Sequence, residues 1–121
     1  MFSLNDSMRY WLWTEATDMR KSFHTLAGIV RDRMGHDPVN GDVYVFINRG
    51  RNRIKLLHWE PGGMVLYSKI LERGTFGTPA GLQDDGSLAW RDLVMVVEGI
   101  MGDTSTRRKR LDALRLKSGK I

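Results

Sequence analysis

Apolar side chains recur at helical spacing through residues 18–34 of this chain, and strand-like apolar runs follow further along. The members of the helical stripe are Met19, Phe23, Leu26, Ala27, Val30 and Met34. Gly35 supplies a stop, because glycine accepts the left-handed conformation that often ends a helix. At the other end, the side-chain oxygen of Thr17 or Asp18 can accept hydrogen bonds from the first free amides. The pattern therefore predicts a first helix over about residues 18–34.

Three further apolar stretches predict an antiparallel meander. Residues 43–47 are apolar at every position, which is typical of a central strand covered on both faces. A strand that ends at Trp59 and another over residues 64–71 follow, separated by a proline-glycine turn at residues 60–63. The short aromatic stretch at residues 10–13 predicts a first strand, although it could also begin a helix.

The last part of the body is predicted to be a loop followed by a second helix. Residues 74–86 contain four glycines, a proline and two aspartates, which favours an exposed loop. Ser87 can cap the helix, which should end near Gly99 or Gly102. Its apolar face would consist of Leu93, Val97, Ile100 and Met101. The fold prediction is one α+β domain over residues 1–106: an antiparallel meander of three to four strands with two flanking helices.

The positive charge of the chain is concentrated at its C-terminal end. The net charge is +5, yet residues 1–106 carry 12 basic and 13 acidic side chains. Residues 107–121 are predicted to be a basic, disordered tail, and this asymmetry is typical of an arm that meets nucleic acid. Its first four cations are candidate phosphate contacts: Arg107, Arg108, Lys109 and Arg110. A solvated end or a vector-derived remnant is the alternative.

A second group of cations lies between the first two strands of the meander. Residues 48–55 hold four cations at alternate positions and no acid: Arg49, Arg51, Arg53 and Lys55. Cations without a nearby acid repel one another and attract an anion, so we predict that this hairpin neutralises nucleic-acid phosphates. Asn48 and Asn52 can hydrogen-bond a nucleic-acid backbone or a base edge. The alternative is an ordinary solvated turn.

Two cations near the predicted first helix could extend this surface. Arg20 and Lys21 would lie in the first helical turn beside the hairpin, where free amides also favour anions. The alternative is that they are surface cations paired with Asp18 or Glu15. Three aromatic residues, Trp59, Tyr67 and Trp90, could stack on exposed bases but fit a core position better.

No residue set predicts catalysis or a bound cofactor. The chain has no cysteine, which excludes disulfides and thiolate metal sites and fits a reducing cytoplasm. Asp84 and Asp85 lie in the glycine-rich loop, and His58 with Glu60 lacks a nucleophile. Phosphate-binding glycine motifs are absent, and no apolar run approaches the roughly 20 residues of a membrane span. We expect a cytoplasmic, non-enzymatic protein without a metal, a cofactor or a membrane partner.

Three blocks of sequence resemble the accessory protein TnpB of the IS-sixty-six type of bacterial insertion sequences. They are residues 17–22, residues 46–49 together with 53–59, and residues 71–76. The similarity spans about residues 10–102. It implies a protein that accompanies a separate, larger transposase and supports transposition. One departure is Ile70, where the family commonly carries a second basic residue, so the third strand of the meander has less charge here.

Together these observations predict an accessory protein that binds DNA through the basic hairpin, helped by Arg20, Lys21 and the tail. A competing hypothesis is an adaptor that docks on the transposase, or on a second accessory protein of the element, without touching DNA. A third is a small metal-dependent nuclease. The sequence does not specify an oligomeric state.

Overall fold

A computed structural model of the chain describes residues 4–98, which form a five-stranded sheet with a helix on each face. In chain order the elements are β1 (Tyr10–Leu12), α1 (Phe23–Asp32), β2 (Val43–Ile47), β3 (Arg53–Glu60), β4 (Gly63–Ile70), β5 (Ser87–Leu88) and α2 (Trp90–Val97). The strand order across the sheet is β4-β3-β2-β1-β5. The α+β class is confirmed. The predicted tail and the predicted boundary at residue 106 lie outside the described residues.

The predicted meander is confirmed in β2, β3 and β4, which pair in antiparallel fashion. Val45 lies opposite Leu56, and Leu56 lies opposite Tyr67 on the next strand. All five residues of β2 are buried, as expected of a strand with a helix on each side. Successive side chains of β2 point to opposite faces of the sheet, so Val43, Val45 and Ile47 join one core and Tyr44 and Phe46 join the other.

Two helices cover opposite faces of the sheet. On one face Leu26 and Val30 of α1 pack with Tyr44, Phe46 and Leu57. On the other face α2 contributes Leu93, Val96 and Val97, which join a larger cluster. Its sheet members are Tyr10, Leu12, Val43, Val45, Ile47, Ile54, Leu56 and Leu88. Each fully buried side chain of this size stabilises the fold by about 1.5–3 kcal/mol, so both faces are needed.

The predicted first strand is present and is parallel to β2. Tyr10 lies opposite Val43 and Leu12 lies opposite Val45, so β1, α1 and β2 form a strand-helix-strand unit. The carboxyl ends of β1 and β2 consequently meet at one edge of the sheet, next to the turn that joins β2 to β3. Because β1 is central, β5 can pair with its other side, where Tyr10 lies opposite Leu88.

The helix starts differ from the sequence prediction. Helix α1 begins at Phe23 and not near residue 18, because the Asp18 carboxylate accepts the backbone N–H of Arg20 at 2.9 Å and closes a separate turn. Ser22 occupies the N-cap position without a side-chain bond. Ser87 does not cap α2 either: it belongs to β5, donates its hydroxyl to Asp85, and leaves the cap position to Ala89.

The predicted stop of α1 at Gly35 agrees with the structure, although the helix ends at Asp32, two residues before the predicted residue 34. Gly35 follows the helix with a φ of +75°, a left-handed conformation that glycine adopts readily. The N–H of His36 then bonds to the carbonyl of Val30 at 3.0 Å, which satisfies one of the last free carbonyls. Within residues 4–98, neither helix has the length and apolar character needed to cross a membrane.

Candidate nucleic-acid interface

The turn between β2 and β3 is shaped by its two asparagines. The Asn48 side-chain oxygen accepts the backbone N–H groups of Asn52 and Arg53 at 3.0 and 2.9 Å. The Asn48 amide nitrogen donates to the Asn52 side-chain oxygen at 2.8 Å. The turn is closed by the Asn48 N–H, which bonds to the Arg53 carbonyl at 3.1 Å. The Asn48 side-chain amide and the Asn52 side-chain oxygen are therefore engaged within the turn, where they fix its backbone.

Arg51 is held by the loop that follows β4. Its φ of +57° is unusual for a residue with a side chain and costs about 1–2 kcal/mol relative to ordinary conformations. Two backbone bonds hold it there, from the Arg51 N–H to the Asn48 carbonyl (3.0 Å) and from the Phe76 N–H to the Arg51 carbonyl (2.6 Å). The Arg51 Nε also donates to the Phe76 carbonyl at 2.8 Å. Because Phe76 is fully buried, it anchors both the backbone and the side chain of Arg51.

Lys55 joins the hairpin to the segment before α1. Its ammonium group donates to the carbonyl oxygens of Met19 and Lys21 at 2.7 and 2.8 Å. Two of its three donors are thus used inside the protein. The bonds place Arg20 and Lys21 beside the hairpin, as the sequence analysis expected. They do so from a loop, however, and the predicted position in the first helical turn is wrong.

Arg49 and Arg53 are the hairpin cations that point toward solvent. Both are exposed. Three ion pairs join Arg20 to Asp18, Arg31 to Asp32 and Arg33 to Glu15, and none of these three involves Arg49 or Arg53. Arg53 lies directly opposite Ile70 of β4, whose side chain is 60% exposed. Ile70, the apolar residue that departs from the family pattern, therefore lies next to the basic surface of the hairpin.

The Arg20 guanidinium forms a bidentate pair with Asp18, with a shortest distance of 2.6 Å. Hydrogen bonds from Arg20 hold the pKa of the Asp18 carboxyl well below its usual range, and the same pairing raises the pKa of Arg20. The Arg20 side chain is nevertheless 92% exposed. This geometry matches the alternative interpretation of Arg20 as a surface cation paired with Asp18, and its contact with DNA stays a prediction.

A cleft of about 320 Å³ lies beside the hairpin, at the shared carboxyl end of β1 and β2. It is lined by Leu12, Trp13, Thr14, Glu15, Ala16, Ile47, Asn48, Arg49, Arg51, Thr78 and Leu82. Sequence reasoning missed this feature. The order strand, helix, strand over residues 10–47 was the available signal, because such a unit places two parallel carboxyl ends side by side.

The aromatic candidates are partly buried in the structure. Tyr67 of β4 and Trp90, the first residue of α2, pack against the core on the α2 face of the sheet, and the ring of Trp90 lies 5.5 Å from that of Tyr10. Burial also raises the pKa of Tyr67. His58 is buried, with Nδ1 3.5 Å from the carbonyl of Asp42. Among residues 4–98 no group of three histidine or acidic side chains is placed to hold a metal ion. Arg107, Arg108, Lys109 and Arg110 lie outside the described residues.

Comparison with known proteins identifies the family of the chain. The model of the IS66 Orf2-like protein family matches residues 8–107. Two uncharacterized proteins of Sinorhizobium fredii (strain NBRC 101917 / NGR234) are similar. The protein y4hO is 32% identical over 89 residues, 74% of this chain and 76% of its own length. The protein y4jC is 30% identical over 79 residues, 65% of this chain and 68% of its own length. No solved structure matches significantly. The chain therefore belongs to the IS66 Orf2-like family, the TnpB accessory proteins of IS66-type insertion sequences.

Proposed function

We propose that this accessory protein supports transposition by binding DNA, with Arg49 and Arg53 as the principal phosphate contacts of the folded domain. The observation that carries the proposal is an acid-free turn whose backbone is fixed by its own hydrogen bonds and whose two arginines face solvent. Arg51, Arg20 and Lys21 add charge next to it. The role is one of binding, without a catalytic step, and it belongs in the cytoplasm with the DNA.

The remaining candidates contribute less directly. Asn48, Asn52 and Lys55 hold the surface together through bonds inside the protein, and a free side-chain donor on Lys55 can still face a phosphate. The tail cations Arg107, Arg108, Lys109 and Arg110 provide a second attachment. Binding is then mainly electrostatic, and each neutralised phosphate adds roughly 0.9 to the slope of log affinity against log salt.

The test compares two double variants of the full chain on a labelled duplex that carries the terminal repeats of the element. Arg49→Ala with Arg53→Ala removes the proposed contacts. Arg9→Ala with Arg91→Ala removes the same charge from exposed positions elsewhere. We expect the first pair to weaken binding at least tenfold and to lower the salt slope by about two, because two phosphate contacts are lost. The control pair should change the affinity much less.

Three outcomes contradict the proposal or part of it. If the intact protein shows no binding at low salt, the DNA function is wrong. If both double variants weaken binding equally, net charge acts and the hairpin has no special role. If binding survives the change at Arg49 and Arg53 but is lost when residues 107–110 are changed to alanine, the tail is the contact.

A second candidate function is an adaptor that docks on the transposase. It is favoured by the outer edge of β4, with which no other strand of residues 4–98 pairs. This strand carries one charged residue, Lys69, and two exposed apolar side chains, Val65 and Ile70, which are 43% and 60% exposed. Such an edge can accept a strand from another protein. Copurification with transposase that is lost in Val65→Lys and unaffected by nuclease would support this function.

A further inference from the structure

The cleft beside the hairpin combines an apolar floor with a cationic rim. Leu12 and Ile47, the last residues of two parallel strands, lie at its base together with Leu82. Arg49, which is exposed, and Arg51, which is half-buried, also line the cleft and form its cationic rim. The ends of parallel strands are a general location for ligands in open sheets. This arrangement suits a ligand with a flat apolar part and an adjacent negative charge.

Glu15, the acidic residue that lines the cleft, does not pair with the cleft arginines Arg49 and Arg51. Glu15 is paired with Arg33 at 2.6 Å, and the Arg33 guanidinium also lies 5.0 Å from the centre of the Trp13 ring. Glu15 is therefore neutralised by its own partner on α1's C-terminal side, and not by Arg49 or Arg51. Trp13 packs against the core on the α1 side and is half-buried, and the part of its ring that lines the cleft can contact a base.

The two arginines of the rim, Arg49 and Arg51, differ in how firmly their side chains are held. Arg51 spends one of its five guanidinium donors on the Phe76 carbonyl, and this bond fixes the plane of the group while other donors remain for a ligand. Arg49 is exposed. Arg51, whose orientation is fixed, and Arg49, whose side chain is free to adjust, can together bind a phosphate, since guanidinium groups donate paired hydrogen bonds to phosphate oxygens.

We propose that the cleft binds one unpaired nucleotide at the end of a DNA strand. The base would enter the apolar floor, and its phosphate would meet Arg49 and Arg51. The volume of about 320 Å³ is at the lower limit of ligand pockets, which start at about 300 Å³, and this favours a single nucleotide. Paired bases inside a duplex cannot enter, because they are held in the stack. The inference rests on the proposed DNA-binding function and specifies the feature of DNA that the site distinguishes.

The experiment uses the full chain and a fluorescent duplex closed by a hairpin at one end. The open end is blunt, carries one extra nucleotide, or carries one extra abasic residue. Since stacking of one base on an aromatic side chain commonly changes affinity about tenfold, we expect the overhang to bind about tenfold more tightly than the blunt end. The abasic overhang keeps the extra phosphate but has no base, so it should lose most of this gain and bind only slightly more tightly than the blunt end.

Variants that fill the cleft provide the matched comparison. Thr78→Trp and Ala16→Trp place a large ring at two exposed lining positions, whereas Val39→Trp places it on an exposed loop before β2. Both filling variants should lose the overhang preference and keep their binding to the blunt duplex, which also shows that they fold. The Val39 variant should keep the preference.

Failure of this inference is distinct from failure of DNA binding. If blunt and overhanging ends bind equally well, or if both filled variants keep the preference, the cleft does not read a strand end and duplex binding can still stand. If free deoxyadenosine monophosphate binds in the cleft while the ends are not distinguished, the nucleotide source is wrong. If no DNA binds at all, the proposed function itself is overturned.

Discussion

The two turns of the meander use different means to reverse the chain. The turn from β2 to β3 is held by side chains, since Asn48 bonds two backbone N–H groups and Phe76 holds Arg51. The turn from β3 to β4 consists of Pro61 and Gly62, and its shape comes from the backbone, because proline fixes its own φ and Gly62 has a φ of +98°. Side-chain hydrogen bonds make the first turn a fixed platform for its charged residues. The second turn, Pro61 and Gly62, carries no charge to position.

The comparison extends to individual cations of the first turn. Arg53 and Lys55 are two residues apart on one strand and share a face of the sheet. Arg53 is exposed, whereas the Lys55 ammonium bonds two carbonyls of the neighbouring loop. Spacing along the strand therefore places both charges correctly, but the packing around them decides which one can meet a partner.

The largest expected effect is that of Lys55→Met. The substitution keeps the apolar stem and removes both bonds to the Met19 and Lys21 carbonyls, so we expect a loss of about 2 kcal/mol in the free energy of unfolding. Urea denaturation measures it. Arg53→Met is the matched control and should change stability by less than about 0.5 kcal/mol while it weakens DNA binding. Equal stability of the two variants would remove the distinction between the structural lysine and the exposed arginine.

Asn48→Ala should have the next largest effect. It leaves the N–H groups of Asn52 and Arg53 without their acceptor, and we expect a loss of about 1–2 kcal/mol in urea denaturation. Asn48→Asp keeps an acceptor oxygen and should retain most of the stability. Wild-type stability in the alanine variant would mean that the turn, like its neighbour, is set by its backbone.

Gly62→Ala tests the second turn in the same way. At a φ of +98° an added side chain is strained even though nothing lies within 4 Å of the position, and we expect a loss of about 1 kcal/mol. Thermal unfolding measures the loss. Gly63→Ala, the neighbouring glycine without a positive φ and also without close neighbours, is the control and should cost less. A larger cost at Gly63 would contradict a turn defined by the φ of Gly62.

Sequence periodicity predicted the elements whose packing is local or repetitive. The bounds predicted for β2 agree with the structure, and the prolyl turn and the alternation along β3 placed the meander correctly. The start of α1 was wrong because Asp18 can either cap a helix or close its own turn, and the outcome depends on Arg20. Ser87 was assigned to a cap because its pairing partner, β1, is distant in sequence.

The candidate site was predictable in charge but not in contacts. Four alternating cations without an acid indicated the basic hairpin from residues 48–55. Three long-range contacts could not be inferred from that segment: Lys55 to residues 19 and 21, Arg51 to Phe76, and the cleft against residues 13–16. Each joins residues at least 25 apart in sequence, so it follows from topology and not from local pattern.

The smallest expected effect concerns the exposed pair between Asp18 and Arg20. The pKa of the Asp18 carboxyl is lower in the folded protein than its usual value of 3.8. Its stabilising contribution is therefore present above about pH 4 and is lost as the pH falls. Asp18→Asn keeps an oxygen for the Arg20 N–H and removes the charge. Between about pH 5 and pH 2 the wild type should lose slightly more stability than the variant, a difference that urea denaturation at each pH measures.

The size of that difference in stability indicates whether the loop at residues 18–21 is fixed together with the turn between β2 and β3. Both side chains face water, so screening keeps the contribution of the pair small, and added salt should reduce it further. Hydrogen bonds from Ser87 also lower the pKa of Asp85. Because Asp85 is present in both proteins, its contribution to the pH dependence of stability cancels when the two are compared. A large, salt-resistant difference would mean that Asp18 fixes the loop under Lys55. In that case the charge of Arg20 would be committed to the fold, and the basic surface would consist of the hairpin arginines without it.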